Sequence, residues 1–163
     1  MKSYKLFILF ILFMTQLVGC APSTILAIPQ SISDRRTTEV QIIDQKIFLG
    51  AWSPVHEITD SESQKSHFNI AVFNKAIIIV GQVPTEEVKK KLSDALLKIN
   101  KVKTVHNKMI ISKANSIKQR AKDTITTSNV KTRMFLELKN DLHPLHVKIM
   151  TENDVIYLMG IVN

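Results

Sequence analysis

Two stretches of the chain, HFNIAVFNKAIIIVGQVP at 67–84 and HVKIMTENDVIYLMGIVN at 146–163, align without a gap at an offset of 79 residues. His67 meets His146, Ile70 meets Ile149, Asn74 meets Asn153, Ile77 meets Ile156, Gly81 meets Gly160 and Val83 meets Val162. Each copy reads as two short strands. The first alternates in polarity, as a half-buried strand does. Asn74-Lys75 and Asn153-Asp154 suit a tight hairpin, because Asn tolerates positive φ. The second strand is a nearly continuous apolar run, AIIIVG or VIYLMG, ending at glycine. A repeat of this kind constrains the fold before any local propensity does: the chain contains two copies of one small module.

The first module opens on a helix. Val40, Ile43, Ile47 and Ala51 fall at helical spacing, Thr37 or Thr38 suits the N-cap, and Pro54 is expected to end it. Residues 56–66 read as a polar connector. After the hairpin, Thr85-Glu86-Glu87 starts a second helix with the apolar stripe Val88, Leu92, Ala95, Leu96 and Ile99. Residues 102–112 read as a third strand. The module is therefore αββαβ, an α+β sandwich with two helices on one face of a three-stranded sheet.

The second copy follows a basic linker, 113–122. Its helix starts at Asp123, carries Thr126, Val130, Met134 and Leu138 on one side, and breaks at His143-Pro144. The hairpin comes next, and Asn163 occupies the position of Pro84. This copy reads as αββ only, leaving an uncovered apolar face and an open strand edge. Either the gene or the sequence is cut short, or another chain completes the sheet; truncation is the preferred reading. The domains expected are a signal peptide at 1–19, a tether at 20–33, a first domain at 34–112, the linker, and a truncated second domain at 123–163.

The N-terminus supplies the address. Lys2 and Lys5 precede the apolar run LFILFILFMTQLV, and Leu17-Val18-Gly19-Cys20 forms a lipobox. Cys20 is the chain's only cysteine, so an internal disulfide is excluded and acylation of its thiol is the expected role. Ala21 after it favours the outer over the inner membrane. The formal net charge is +8, and loss of the two signal lysines leaves +6. In a secreted protein that charge suits anionic headgroups rather than nucleic acid.

DRRTTEVQIID near residue 34, FNIAVFNKAIIIVGQVP, and TEN with VIYLMGIV at 151–162 together resemble the BON family. From Cys20 to Asn163 the chain looks like outer-membrane lipoproteins that carry two such domains in tandem. The resemblance implies a sandwich without an active site, on the periplasmic face of the outer membrane, supporting envelope integrity. It implies binding to anionic phospholipid through the first helix of the second domain, and ties to osmotic stress and to cell-wall amidase regulation. The family pattern at that helix is similar to D-x-W-I-T-x-K-V. Here Asp123 and Val130 keep the pattern, while Ile125 replaces the tryptophan, Thr126 the isoleucine and Asn129 the lysine. Lys122, Ile125, Arg133 and Leu136 still fall on one arc away from the expected core stripe, and are the lipid-binding candidates. The alternative is that Ile125 and Leu136 pack on the neighbouring module.

Convergent catalytic chemistry is absent from the sequence. The five histidines show no metal spacing, there is no glycine-rich phosphate loop, and no cofactor or metal is expected. Two non-enzymatic readings stand: a lipid-binding envelope lipoprotein, and a periplasmic adaptor that docks a protein partner, with a degenerate remnant as the limiting case of either.

Overall fold

The computed structural model describes residues 36–60, 66–137 and 147–161. The chain divides into Met1–Gln30 and Ser31–Asn163, and every element below lies within Ser31–Asn163. Cys20, the 1–19 segment, the 20–33 tether, Leu138, His143-Pro144 and His146 lie outside the described residues.

The order is α1 (Thr38–Asp60), β1 (His67–Phe73), β2 (Ala76–Val83), α2 (Glu86–Leu97), β3 (Thr104–Asn107), β4 (Ile110–Ile111), α3 (Ile117–Glu137), β5 (Val147–Glu152) and β6 (Val155–Gly160). β1 and β2 form an antiparallel hairpin, and β3 and β4 both pair with β2 in parallel. The expected third strand is thus present in two pieces. Its register is continuous across the gap, since Ile79 faces Asn107 and Gln82 faces Ile110. Between them Met109 is inserted into the core, 1% exposed, and its N–H bonds the Asn107 side chain at 3.1 Å.

One core cluster joins Ile43, Ile47, Ala51 and Val55 of α1, Val72 of β1, Ile77, Ile79 and Val83 of β2, Val88, Leu92 and Leu96 of α2, and Met109. Ile77, Ile79 and Val83 share one sheet face by the two-residue period, so both helices cover that face. Ile78, Val80 and Gln82 on the other face are buried as well. That explains the uninterrupted apolar sequence of β2: a strand buried on both sides has no polar face to keep. Thr85 caps α2 as expected, accepting the Val88 N–H at 3.2 Å. Thr37 caps α1 by the same geometry, accepting from Val40.

α1 does not end at Pro54. It runs on to Asp60, so residues 56–60 of the expected 56–66 connector are helix. A mid-helix proline removes one hydrogen bond and costs about 3 kcal/mol. Val55 and Thr59 are buried beyond it, and the Thr59 hydroxyl donates back to the Val55 carbonyl at 2.9 Å. Burial of the last turns outweighs the local penalty.

α3 begins at Ile117, inside the segment expected to be linker, with Ser116 accepting the Gln119 N–H as its cap. It packs on β5 through a small cluster of Met134, Val147 and Ile149, with Val130 beside it. β6 is far more open than its counterpart β2: Val155 is 50%, Ile156 44% and Leu158 54% exposed. Among the described residues β6 pairs with β5 alone.

The 79-residue offset extends to side-chain geometry. Both hairpin turns hold two residues at positive φ, Asn74 and Lys75 at 50° and 65°, Asn153 and Asp154 at 52° and 63°. In each unit a helical aspartate accepts both turn N–H groups. Asp44 Oδ2 and Oδ1 receive Asn74 and Lys75, each at 2.7 Å. Asp123 receives Asn153 at 2.9 Å and Asp154 at 3.0 Å. The Gln41 side chain donates to the Arg36 carbonyl, and Arg120, 79 residues on, donates to Asn115.

Asp44 is 4% exposed and also takes the Arg36 guanidinium at 2.7 Å. Replacing it leaves buried donors unmatched. Asp44→Ala is expected to lower stability by about 3 kcal/mol, read from urea midpoints, with Asp44→Asn losing less because one acceptor survives.

Candidate functional site

The lipid-binding candidates sit on α3. The helix turns about 100° per residue, so its sides separate cleanly. Asp123 and Met134 face inward and are buried, and the Thr127 hydroxyl donates to Thr151 of β5 at 2.8 Å. Lys122, Ile125, Arg133 and Leu136 are all exposed, Ile125 by 61% and Leu136 by 72%. They do not pack on the first module.

Two further apolar side chains join them: Ile117 at 84% and Phe135 at 67% exposed. Sequence reading passed over Ile117 because it lay in the expected linker, and Phe135 because it falls one position off the arc. With them the outer face is an apolar stripe flanked by Lys118, Lys122 and Arg133 on one side and Lys131 on the other. The face is thus mixed, apolar in the middle and basic at its margins.

The four candidates are not equivalent. Lys122 Nζ lies 2.8 Å from Asp154 Oδ1. The hydrogen bond to Asp154, and then its charge, hold the lysine above its usual pKa, while the same bond draws Asp154 below the usual carboxylate value. Lys122 therefore brings its own counter-charge, and Arg133 carries more of the face's attraction for an anion.

Behind α3 lies the joint with the first sheet. Glu152, at the end of β5, is 4% exposed. Its Oε1 accepts the Gln82 side-chain amide at 2.8 Å and that of Asn115 at 3.2 Å. Its Oε2 accepts Asn69 at 2.8 Å and lies 3.5 Å from His67 Nε2. Gln82 is itself fully buried, and its carbonyl takes the Asn115 backbone N–H at 3.0 Å. These partners come from β1, β2 and the segment before α3, so the carboxylate ties the second hairpin to the first sheet. Burial alone would raise the Glu152 pKa. Hydrogen bonds from His67, Gln82 and Asn69 outweigh that, and it titrates below the usual glutamate value.

Nothing in the repeat announces this cluster. Position 79 before Glu152 is Phe73, and the partner of Gln82 is Ile161. The available signal was that departure from the repeat. An open cleft of about 440 Å³ lies alongside, lined by His67, Asn69, Arg120, Thr124, Lys131 and Met150 among others. Among the described residues no group of three His, Cys, Asp or Glu is placed to hold a metal, and no helix is long and apolar enough to cross a membrane.

Residues 57–113 match the BON domain family, so the chain contains a BON domain there, from the last turn of α1 through β4. The chain is also homologous to Outer membrane lipoprotein DolP of Haemophilus influenzae, 27% identical over 128 residues. That alignment covers 78% of this chain and 65% of the relative, so the chain spans just under two thirds of the length of the protein it matches.

The stabilisation that Glu152 gives is complete above the ordinary glutamate pKa and is lost as pH falls through its lower folded value. Glu152→Gln is expected to flatten the acid limb of the stability-against-pH curve relative to the parent. Urea midpoints taken at stepped pH check this; parallel curves for the two proteins would contradict it.

Proposed function

We propose that this chain is a non-catalytic lipoprotein of the outer membrane, held on the periplasmic face by acylated Cys20, in which two tandem BON modules bring a basic and apolar helix face to anionic phospholipid and so support envelope integrity. The observation that carries the reading is the outer face of α3, where Ile117, Ile125, Phe135 and Leu136 are exposed between cations. Homology to an outer membrane lipoprotein supports the location. The lipobox supports the anchor: acyl chains supply about 0.8 kcal/mol per buried methylene.

Lipid contact through this face has two components. Apolar side chains enter the interfacial layer, and each well-placed cation adds about 1 kcal/mol on an anionic surface. The indole that the family pattern places at position 125 is here an isoleucine, which keeps an apolar body without a polar tip. Binding is therefore weaker than in relatives that carry tryptophan and lysine.

A second reading, an adaptor for a periplasmic protein, is favoured by one observation: the open side of β6, with Val155, Ile156 and Leu158 exposed. Apolar docking there persists in high salt, whereas headgroup attraction is screened within about 10 Å at 0.1 M.

The tests use the chain from Cys20 onward, without acyl groups, and vesicles rich in phosphatidylglycerol. Co-sedimentation is expected to fall as salt rises. Arg133→Ala should weaken it about fivefold and Lys122→Ala less, because Lys122 already has a counter-charge. Salt-independent sedimentation would overturn the headgroup reading. Labelling with palmitate in cells is expected to mark the native chain and to miss Cys20→Ser.

A further inference from the structure

The only tryptophan of the chain lies in the other module, on the solvent side of α1. Trp52 is 41% exposed, and Ile42 and Leu49 on the same side are 52% and 67% exposed. The indole is part of an aromatic cluster. It stacks on His56 at 5.3 Å between centroids, meets Phe48 edge-on at 5.8 Å, and lies 5.8 Å from Phe68, which in turn meets His56 at 5.1 Å. Rings this close fill one another's faces, so the cluster is a solid apolar platform and has no room to cage a cation.

Phe48 and Phe68 of this platform pack against the core, whereas Ile42, Leu49 and Trp52 are not part of it. The inward positions of α1, Ile43, Ile47, Ala51 and Val55, already form the core. The repeat makes the same point: 79 residues on from Ile42, Leu49 and Trp52 stand Ala121, Ser128 and Lys131. Three large apolar side chains kept on one exposed side, at positions where the sister helix carries small or polar residues, mark a contact surface. An indole at such a surface pairs an apolar body with a polar N–H, which suits a polar layer above an apolar one.

Charge and chain length indicate what covers the face. Near it one cation, Lys46, stands against two carboxylates, Glu57 and Asp60, the last 3.7 Å from His56 Nδ1, so the surface has no cationic excess to select anionic headgroups. Cys20 is eighteen residues before Thr38, which bounds the distance from the anchor to α1 at about 60 Å. Tethering at that range raises the effective concentration of the bilayer at α1 to about millimolar.

We propose that the Ile42–Leu49–Trp52 face of α1 is a second membrane-contact face, an aromatic one that enters the interfacial layer of the bilayer without choosing its charge. It rests on the anchor reading above and differs from the α3 face in chemistry. The α3 face is basic and salt-sensitive. The α1 face is neutral and salt-resistant, and takes zwitterionic lipid.

The experiment uses two residues that occur once. The chain from Cys20 onward is coupled through Cys20 to a maleimide-headgroup lipid in phosphatidylcholine vesicles, some carrying doxyl-labelled acyl chains. Trp52 is the sole reporter. Its emission is expected to shift to the blue on coupling and to be quenched by the doxyl groups, equally at low and high salt. Leu49→Asp, at an exposed site that leaves the circular dichroism unchanged, should abolish both signals and lower partitioning of the uncoupled chain about tenfold. Emission from the coupled protein identical to that of the free chain would overturn the proposal, as would quenching that survives Leu49→Asp. A blue shift that grows with protein concentration in the absence of vesicles would assign the face to self-association instead and overturn it equally. Chemical coupling makes the result independent of acylation in the cell, which palmitate labelling reads separately.

Discussion

In both units a carboxylate from the helix reaches the hairpin turn and accepts its two N–H groups. Asp44 does this for Asn74 and Lys75, Asp123 for Asn153 and Asp154. The turn needs two residues at positive φ, a conformation that L-residues other than glycine adopt at a cost of roughly 1–2 kcal/mol each. The aspartate offsets that cost and sets where the helix sits over the strands. Once it is set, the inward residues of α1 meet β1 and β2, those of α3 meet β5, and what remains outside is decided. The exposed faces of both helices are thus consequences of one buried contact made twice.

Repetition also separates two kinds of residue. Those that obey the 79-residue offset hold a unit together: the aspartates, the turn asparagines and the caps Thr37 and Ser116. Those that break it act between units or towards the outside. Glu152 replaces Phe73 and binds the first sheet; Trp52 faces solvent where its counterpart is Lys131. The clamp explains why the two hairpins sit alike under their helices, and the departures mark where the two copies differ.

The hairpins, the α2 cap and the exposed arc of α3 were legible because each depends on residues near in sequence, through periodicity or turn chemistry. The continuation of α1 past Pro54 was not, since it is decided by Val55 and Thr59 meeting a core assembled later in the chain. The start of α3 was hidden by a run of basic residues that reads as linker and is the solvent side of a helix. The Glu152 joint left only its departure from the repeat as a signal: its partners lie 37 to 85 residues away, and polar side chains leave no periodic trace when each meets a different element.

The two cores differ greatly in size. Among the described residues twelve buried side chains close the first, and Met134, Val147 and Ile149 close the second. Stability within one chain is therefore graded, and the smaller core belongs to the unit that opens first in local unfolding. Amide exchange across α3, β5 and β6 follows from that smaller core, with Glu152 as the link through which the first unit lends protection to the second. A ligand on the α3 face slows that exchange by mass action, because it binds the closed form alone. The helix proposed to face lipid is thus the part of the molecule whose folding a bilayer would most readily shift.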